Sequence, residues 1–122
     1  MIKASFTYQK EVGTIALKVE GHAGMAEKGH DIICSAASIL TYTIAQYLHY
    51  VDKQRGLRKK PKIEMKDGDA LIVARPTEKY MGEVLNAFFV AEVGFSLLSQ
   101  NYPQFVELKL LNEGESLCQK QK

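Results

Sequence analysis

Tryptophan is absent from this 122-residue chain, and cysteine and proline are sparse, at two and three residues. Two cysteines, Cys34 and Cys118, are too few for a disulfide framework, and in a reducing compartment both are expected as free thiols. No stretch approaches the ~18 consecutive apolar residues that a membrane span requires. The opening Met1-Ile2-Lys3-Ala4-Ser5-Phe6 has no apolar core of signal-peptide length. These absences predict a cytoplasmic protein with no membrane partner. Charge of one sign is also lacking: a net +2 is too small to argue for nucleic acid, so direct nucleic acid binding is not expected. There is no internal repeat and no low-complexity tract. No cofactor is expected.

What is present is an ordinary globular composition, 46% hydrophobic and 25% charged, in a length that suits one domain over residues 1–122. Ile2, Ala4, Phe6 and Tyr8 alternate with polar residues, and Ile15, Leu17 and Val19 resume the pattern after a turn, predicting two half-buried strands. Residues 21–30 carry three glycines and no periodicity, which predicts a mobile loop. Asp31 then opens a helix to about Asp52, with apolar residues recurring from Ile33 to Val51 at helical spacing. Lys62–Lys66 and Leu71–Ala74 flank Asp67-Gly68, a hairpin signal because both residues tolerate positive φ. Thr77 is a candidate cap for a second helix, whose face runs Met81, Val84, Leu85, Phe88, Ala91, Phe95 and Leu98 until Asn101 and Pro103 stop it. Val106, Leu108 and Leu110 form a last strand, and residues 113–122 read as a frayed tail. The order ββαββαβ predicts an α+β fold, a mostly antiparallel sheet with two helices packed on it.

The chemistry is concentrated around Cys34. With Asp31 as N-cap, Cys34 stands in the first helical turn, where free N–H groups and the positive end of the helix dipole favour a thiolate over a thiol. The N–H groups of Cys34 and Ser35 are candidate donors to a developing oxyanion. Asp31, itself an anion, opposes ionisation of the sulfur unless its carboxylate turns to the helix N–H groups or to an imidazole. His22, just beyond the second strand, is the natural base, and the loop glycines Gly21, Gly24 and Gly29 let the two residues meet. His30 would make a third zinc ligand beside His22 and Cys34, but a structural site takes four, so no metal is expected. Cys118 reads as an incidental thiol. Ser38, one turn beyond Cys34, either hydrogen-bonds near the site or is a small residue that lets the helix pack closely. Phe88, Phe89 and Phe95 read as core, with a contribution to an apolar peptide pocket left open.

The string Gly21-His22-Ala23-Gly24, followed by Gly29-His30-Asp31-Ile32-Ile33-Cys34-Ser35-Ala36-Ala37-Ser38, closely resembles the signature of the bacterial ribosomal-processing cysteine proteases, the Prp family. The resemblance extends along the whole chain and implies an endopeptidase. Its substrate would be the N-terminal extension of a large-subunit ribosomal protein, number twenty-seven, cut after a hydrophobic segment that ends in aromatic residues. It matches Cys34 to the nucleophile, His22 to the base, Asp31 to the acidic residue before the helix, and residues 21–29 to a flexible loop over the site. It also implies a homodimer. Ser35, where alanine is common, is a mild variation.

The rival reading is a non-catalytic module that binds ribosomal protein or rRNA through the basic segment Lys53–Lys62, with Cys34 as a structural residue. A thiol redox protein is a third, disfavoured by the lack of a Cys-x-x-Cys pair.

Overall fold

A computed structural model describes residues 1–21 and 30–110, with the side chains of residues 30, 31 and 110 excepted. The elements run β1 (Ile2–Gln9), β2 (Thr14–Glu20), α1 (His30–Lys53), β3 (Lys62–Lys66), β4 (Asp69–Ala74), α2 (Glu78–Asn101) and β5 (Val106–Leu110). They make one five-stranded sheet in the order β3-β4-β2-β1-β5. Every pairing is antiparallel except β1 with β5, which is parallel. That exception follows from connectivity, because α2 carries the chain back along the sheet before β5 begins.

The period-two alternation of the strands sorts the sheet into two unlike faces. Ile2, Ala4, Phe6, Ile15, Leu17, Ile72 and Ala74 are buried under the helices. On the opposite face Glu107, Lys3, Glu20, Asp69 and Lys66 fall opposite one another across the five strands, a charged row of both signs in which Glu20 and Asp69 are adjacent acids. The pairs Lys18–Glu20, Lys62–Glu64 and Lys109–Glu107 are about half exposed, so they serve solubility more than stability.

α1 presents Ile33, Ala37, Ile44, Leu48 and Val51 to the core, and α2 presents Val84, Phe88, Ala91 and Phe95, as their spacing predicted. The helices approach closely at Gly94, where a Cβ would come within 2.7 Å of the Leu40 side chain. Tyr47 on α1 donates to Glu83 on α2 at 3.3 Å. Desolvation, reinforced by the Glu83 charge, pushes the Tyr47 phenol up to about 12. That tie favours the fold below pH 10 and is lost as the pH rises toward 12.

Several local expectations are corrected. α1 begins at His30, so Asp31 lies inside the helix rather than capping it. Thr77 occupies the N-cap position of α2 but makes no side-chain cap bond; its N–H donates instead to the Gly56 carbonyl at 2.8 Å. In the Asp67-Gly68 turn only Gly68 takes a positive φ. By length and composition Met81–Asn101 is apolar enough to cross a membrane, at a mean hydropathy of 1.4, a property that counting consecutive apolar residues misses. Its Val84, Phe88, Ala91 and Phe95 are nonetheless packed into the core.

α1 ends in a Schellman motif. Gly56 N–H donates to Val51 O and Arg55 N–H to Asp52 O, each at 2.9 Å. The left-handed residue is Arg55, at φ +62°, while Gly56 is needed for space, since its Cβ would press on Tyr80 and Val51 within 2.8 Å. A side chain in that conformation costs roughly 1 kcal/mol. Arg55→Gly should therefore raise stability by about 0.5–1 kcal/mol, read as a higher urea midpoint at unchanged slope.

Candidate active site

Cys34 is a free, half-buried thiol on α1. It opens on a cleft of about 260 Å³ at one end of the sheet. The cleft lies between the sheet and α1. Met65, Ala70 and Val19 are cross-strand neighbours on β3, β4 and β2, and they line it opposite Ala37 of α1. Thr41 adds a buried hydroxyl to the wall, satisfied by donating to the Ala37 carbonyl at 2.8 Å. The β3–β4 turn at residues 66–69 and Gly21 complete the lining. A shallower depression lies along α1 itself, between Cys34, Ser35, Ser38, Ile39 and Tyr42. Cys34 thus borders two depressions, and Ser38 borders both.

This placement tests each expected site residue differently. Cys34 and Ser38 come together on one face of α1, Ser38 exposed and one turn along. Gly21, expected as the start of a mobile stretch, is tied to the β3–β4 turn by its N–H, which donates to the Gly68 carbonyl at 2.8 Å. His22, Gly24 and Gly29 lie outside the described residues, as does Cys118; for His30 and Asp31 the helical backbone alone is described. Among the described residues no three His, Cys, Asp or Glu side chains converge as a metal site.

The earlier start of α1 moves Cys34 away from the free N–H groups at the helix end. Cys34 is the fifth residue of the helix rather than part of its first turn. Only the first four N–H groups of a helix lack an intrahelical partner. The N–H groups of Cys34 and Ser35 therefore fall within the helical ladder, and their use as oxyanion donors requires the first turn to loosen.

The aromatic stripe does not line the cleft. Phe88 and Phe95 are fully buried, Phe95 edge-on to Phe6 at 5.9 Å between ring centres, and Phe89 packs against the same core. The walls come instead from Ile2, Val19 and Met65, which the sequence marked only as ordinary strand residues, and from Ala70, which it left just outside the strand expected at Leu71–Ala74. The Asp67-Gly68 hairpin was visible as a turn, but nothing local placed it beside Cys34.

The basic segment is divided by function. Arg58 serves the fold: its guanidinium donates to the Pro76, Val12 and Gly13 carbonyls at 2.8–3.2 Å, joining β1–β2 to β4–α2. Arg55, Lys59 and Lys60 remain exposed.

A family model described as cysteine protease Prp matches residues 1–107. No curated protein matches the chain at a significant level. Among solved structures, the essential ribosomal processing protease Prp from S. aureus in complex with a substrate peptide shares 22% identity, with a TM-score of 0.65 over 90% of this chain and 99% of that one. A Streptococcus mutans protein shares 24%, with a TM-score of 0.66 over 92% and 95%. The S. aureus protease with a covalently linked product peptide aligns at 22% and a TM-score of 0.64, over 90% and 99%. At these identities the structures share the fold.

Proposed function

Because the chain belongs to the Prp family of cysteine proteases, we propose that it is a ribosomal-protein-processing endopeptidase with Cys34 as nucleophile and His22 as general acid and base. The observation that carries this reading is the position of Cys34. It is the free thiol among the described residues, set on the wall of a cleft built between a helix and the end of a sheet. The substrate is the N-terminal extension of large-subunit ribosomal protein twenty-seven, cut after its hydrophobic, aromatic-ended segment. Support for that choice is the family resemblance, together with the S. aureus protein of like fold, described as a ribosomal processing protease.

The chemistry is acyl transfer. The Cys34 thiol passes its proton to His22, and the resulting thiolate attacks the scissile carbonyl, forming a C–S bond and a tetrahedral oxyanion. Collapse breaks the C–N bond as His22 gives its proton to the leaving amine. A water that loses its proton to His22 then attacks the thioester, and breakage of the C–S bond returns the sulfur and releases the carboxylate. Asp31 and Ser38 have supporting roles, and Cys34 and Ser35 donate N–H groups to the oxyanion once the helix start opens. The catalytic domain spans residues 1–122. No metal or cofactor takes part.

The enzyme works in the cytoplasm as a homodimer. Ile39 and Tyr42 on α1 and Val90, Val93 and Leu97 on α2 are 43–63% exposed, along helices brought side by side at Leu40 and Gly94. An apolar band of this kind suits a self-complementary two-fold contact. Light scattering should give twice the monomer mass, and Leu97→Asp should halve it; a monomeric wild type at micromolar concentration would overturn the dimer.

The test of function is cleavage of a peptide spanning the ribosomal protein's N-terminal extension, read by mass spectrometry under reducing conditions. A single cut after the aromatic segment supports the proposal. An intact peptide with folded enzyme favours the binding-module reading through the exposed Arg55, Lys59 and Lys60.

A further inference from the structure

The two ends of the sheet carry unlike charge. The β3–β4 turn and the Cys34 cleft lie at one end, while the β1–β2 turn, the last turn of α1 and the start of α2 lie at the other. At this second end the fold gathers segments that are distant in sequence. The Arg58 guanidinium donates to the Val12, Gly13 and Pro76 carbonyls, its N–H donates to the Arg75 carbonyl at 2.7 Å, and the Thr77 N–H donates to the Gly56 carbonyl at 2.8 Å. Lys10, Lys53, Arg55, Lys59, Lys60 and Lys79 are thereby brought to one end, all of them exposed. The acids of the same segments are Glu11, Asp52 and Glu78. A net charge of +2 conceals this separation, because Glu20, Asp67 and Asp69 at the cleft end offset it.

These cations differ from those of the open sheet face in having no acid partner. Among the described residues the ion pairs are Lys18–Glu20, Lys62–Glu64 and Lys109–Glu107, all on that face. Complementing the helix dipole accounts for Lys53 alone, the basic residue in the last turn of α1. The large apolar residues exposed at this end are Val12 and Tyr50, too few for the apolar centre of a protein interface, from which lysine is depleted. A lysine-rich surface without such a centre suits a chain of phosphates. Tyr50, 57% exposed, stands one helical turn before Lys53 and offers a ring face to a base. We propose that this basic end is a docking surface for single-stranded RNA, its cations on successive phosphates and Tyr50 stacked on a base. RNA rather than DNA follows from the ribosomal-protein substrate proposed above, and to that extent the inference rests on that reading. The cleft at the other end stays open, so one molecule holds RNA and cuts peptide at once.

The measurement is fluorescence anisotropy of a labelled, unstructured RNA of ~20 nucleotides across a series of KCl concentrations. About five phosphate contacts give a slope of log K against log[KCl] of about −3.5, so a Kd of ~1 µM at ~50 mM should weaken roughly 50-fold by ~150 mM. The variant Lys53→Gln/Lys59→Gln/Lys60→Gln should bind at least about 30-fold more weakly at ~50 mM and flatten the slope by about 2. The matched variant Lys3→Gln/Lys18→Gln/Lys109→Gln removes the same charge from the sheet face and should stay within about threefold of wild type. Tyr50→Ala should weaken binding about tenfold at unchanged slope, as loss of a stacked base does. Peptide cleavage by the basic-end variant should keep its kcat/KM within about twofold, because none of the three lysines lines the cleft.

Salt-independent binding, or equal losses in the two triple variants, would overturn the docking surface. Polyglutamate that displaces the RNA at equal concentration would assign this end to an acidic protein and sink the RNA assignment, as would tighter binding of DNA of the same sequence. Should the triple variant at the basic end fail to fold, Lys59→Gln/Lys60→Gln decides: its slope should flatten by about 1.4, and an unchanged slope overturns the proposal. The two readings fail separately. A wild type that binds RNA through this end but leaves the peptide intact overturns the protease reading, and one that cuts the peptide but does not bind RNA overturns this inference.

Discussion

Cys34→Ser should abolish peptide cleavage, by at least ~10³-fold in kcat, while the protein melts within a few degrees of wild type. The two expectations have separate causes. A hydroxyl differs little in size from a thiol, and Cys34 is only half-buried, so packing against α1's neighbours changes little. As a nucleophile, however, serine is far weaker, and a base arranged to pair with sulfur does not deprotonate it. His22→Ala should cost about 10²–10⁴-fold, the range of general acid–base catalysis. The double variant should be no worse than Cys34→Ser alone, because residues acting as one unit are not additive. Chelator should leave the wild-type rate unchanged. Activity in Cys34→Ser above about a tenth of wild type would remove Cys34 from the mechanism.

Phe95→Ala is expected to have the largest effect on stability, roughly 3–5 kcal/mol. Phe95 is fully buried between α2 and the sheet and meets Phe6 edge-on at 5.9 Å. Its removal leaves a cavity that flanking β-strands cannot fill, and forfeits an aromatic pair worth about 0.5–1.5 kcal/mol beyond its buried area. Set against total stabilities of about 5–15 kcal/mol, that is a large share. The urea midpoint measures it. The same variant separates core from cleft: Phe95 does not line the space beside Cys34, so KM at a temperature where the protein is folded should stay within about threefold. A selective rise in KM would return the aromatic stripe to the substrate pocket.

Local pattern carried most of the fold. Alternation at Ile2–Tyr8 and Ile15–Val19 states which strand faces are buried, because successive side chains point to opposite sides of a strand. The 3.6-residue spacing of Val84, Phe88, Ala91 and Phe95 states the buried face of α2 equally well. Helix starts were less legible. Asp31 and Thr77 are both good cap residues, yet α1 starts one residue before Asp31, and Thr77 spends its N–H on Gly56 with no side-chain cap bond. Capping is worth only about 1 kcal/mol, so packing overrides it easily.

By itself the sequence determined the strands, the two amphipathic helices, the nucleophile candidate and the family motif, since each depends on residues near one another in the chain. Only the tertiary structure decided what surrounds Cys34. The cleft is assembled from β1, β2, β3, β4, the β3–β4 turn and α1, and the Gly21 N–H meets the Gly68 carbonyl across 47 residues of chain. Arg58 likewise reads as a surface charge until the fold brings three carbonyls to its guanidinium. A pattern within one segment reports which way a side chain faces. It carries no record of which distant backbone will come to meet it, because that is set by the order of strands in the sheet.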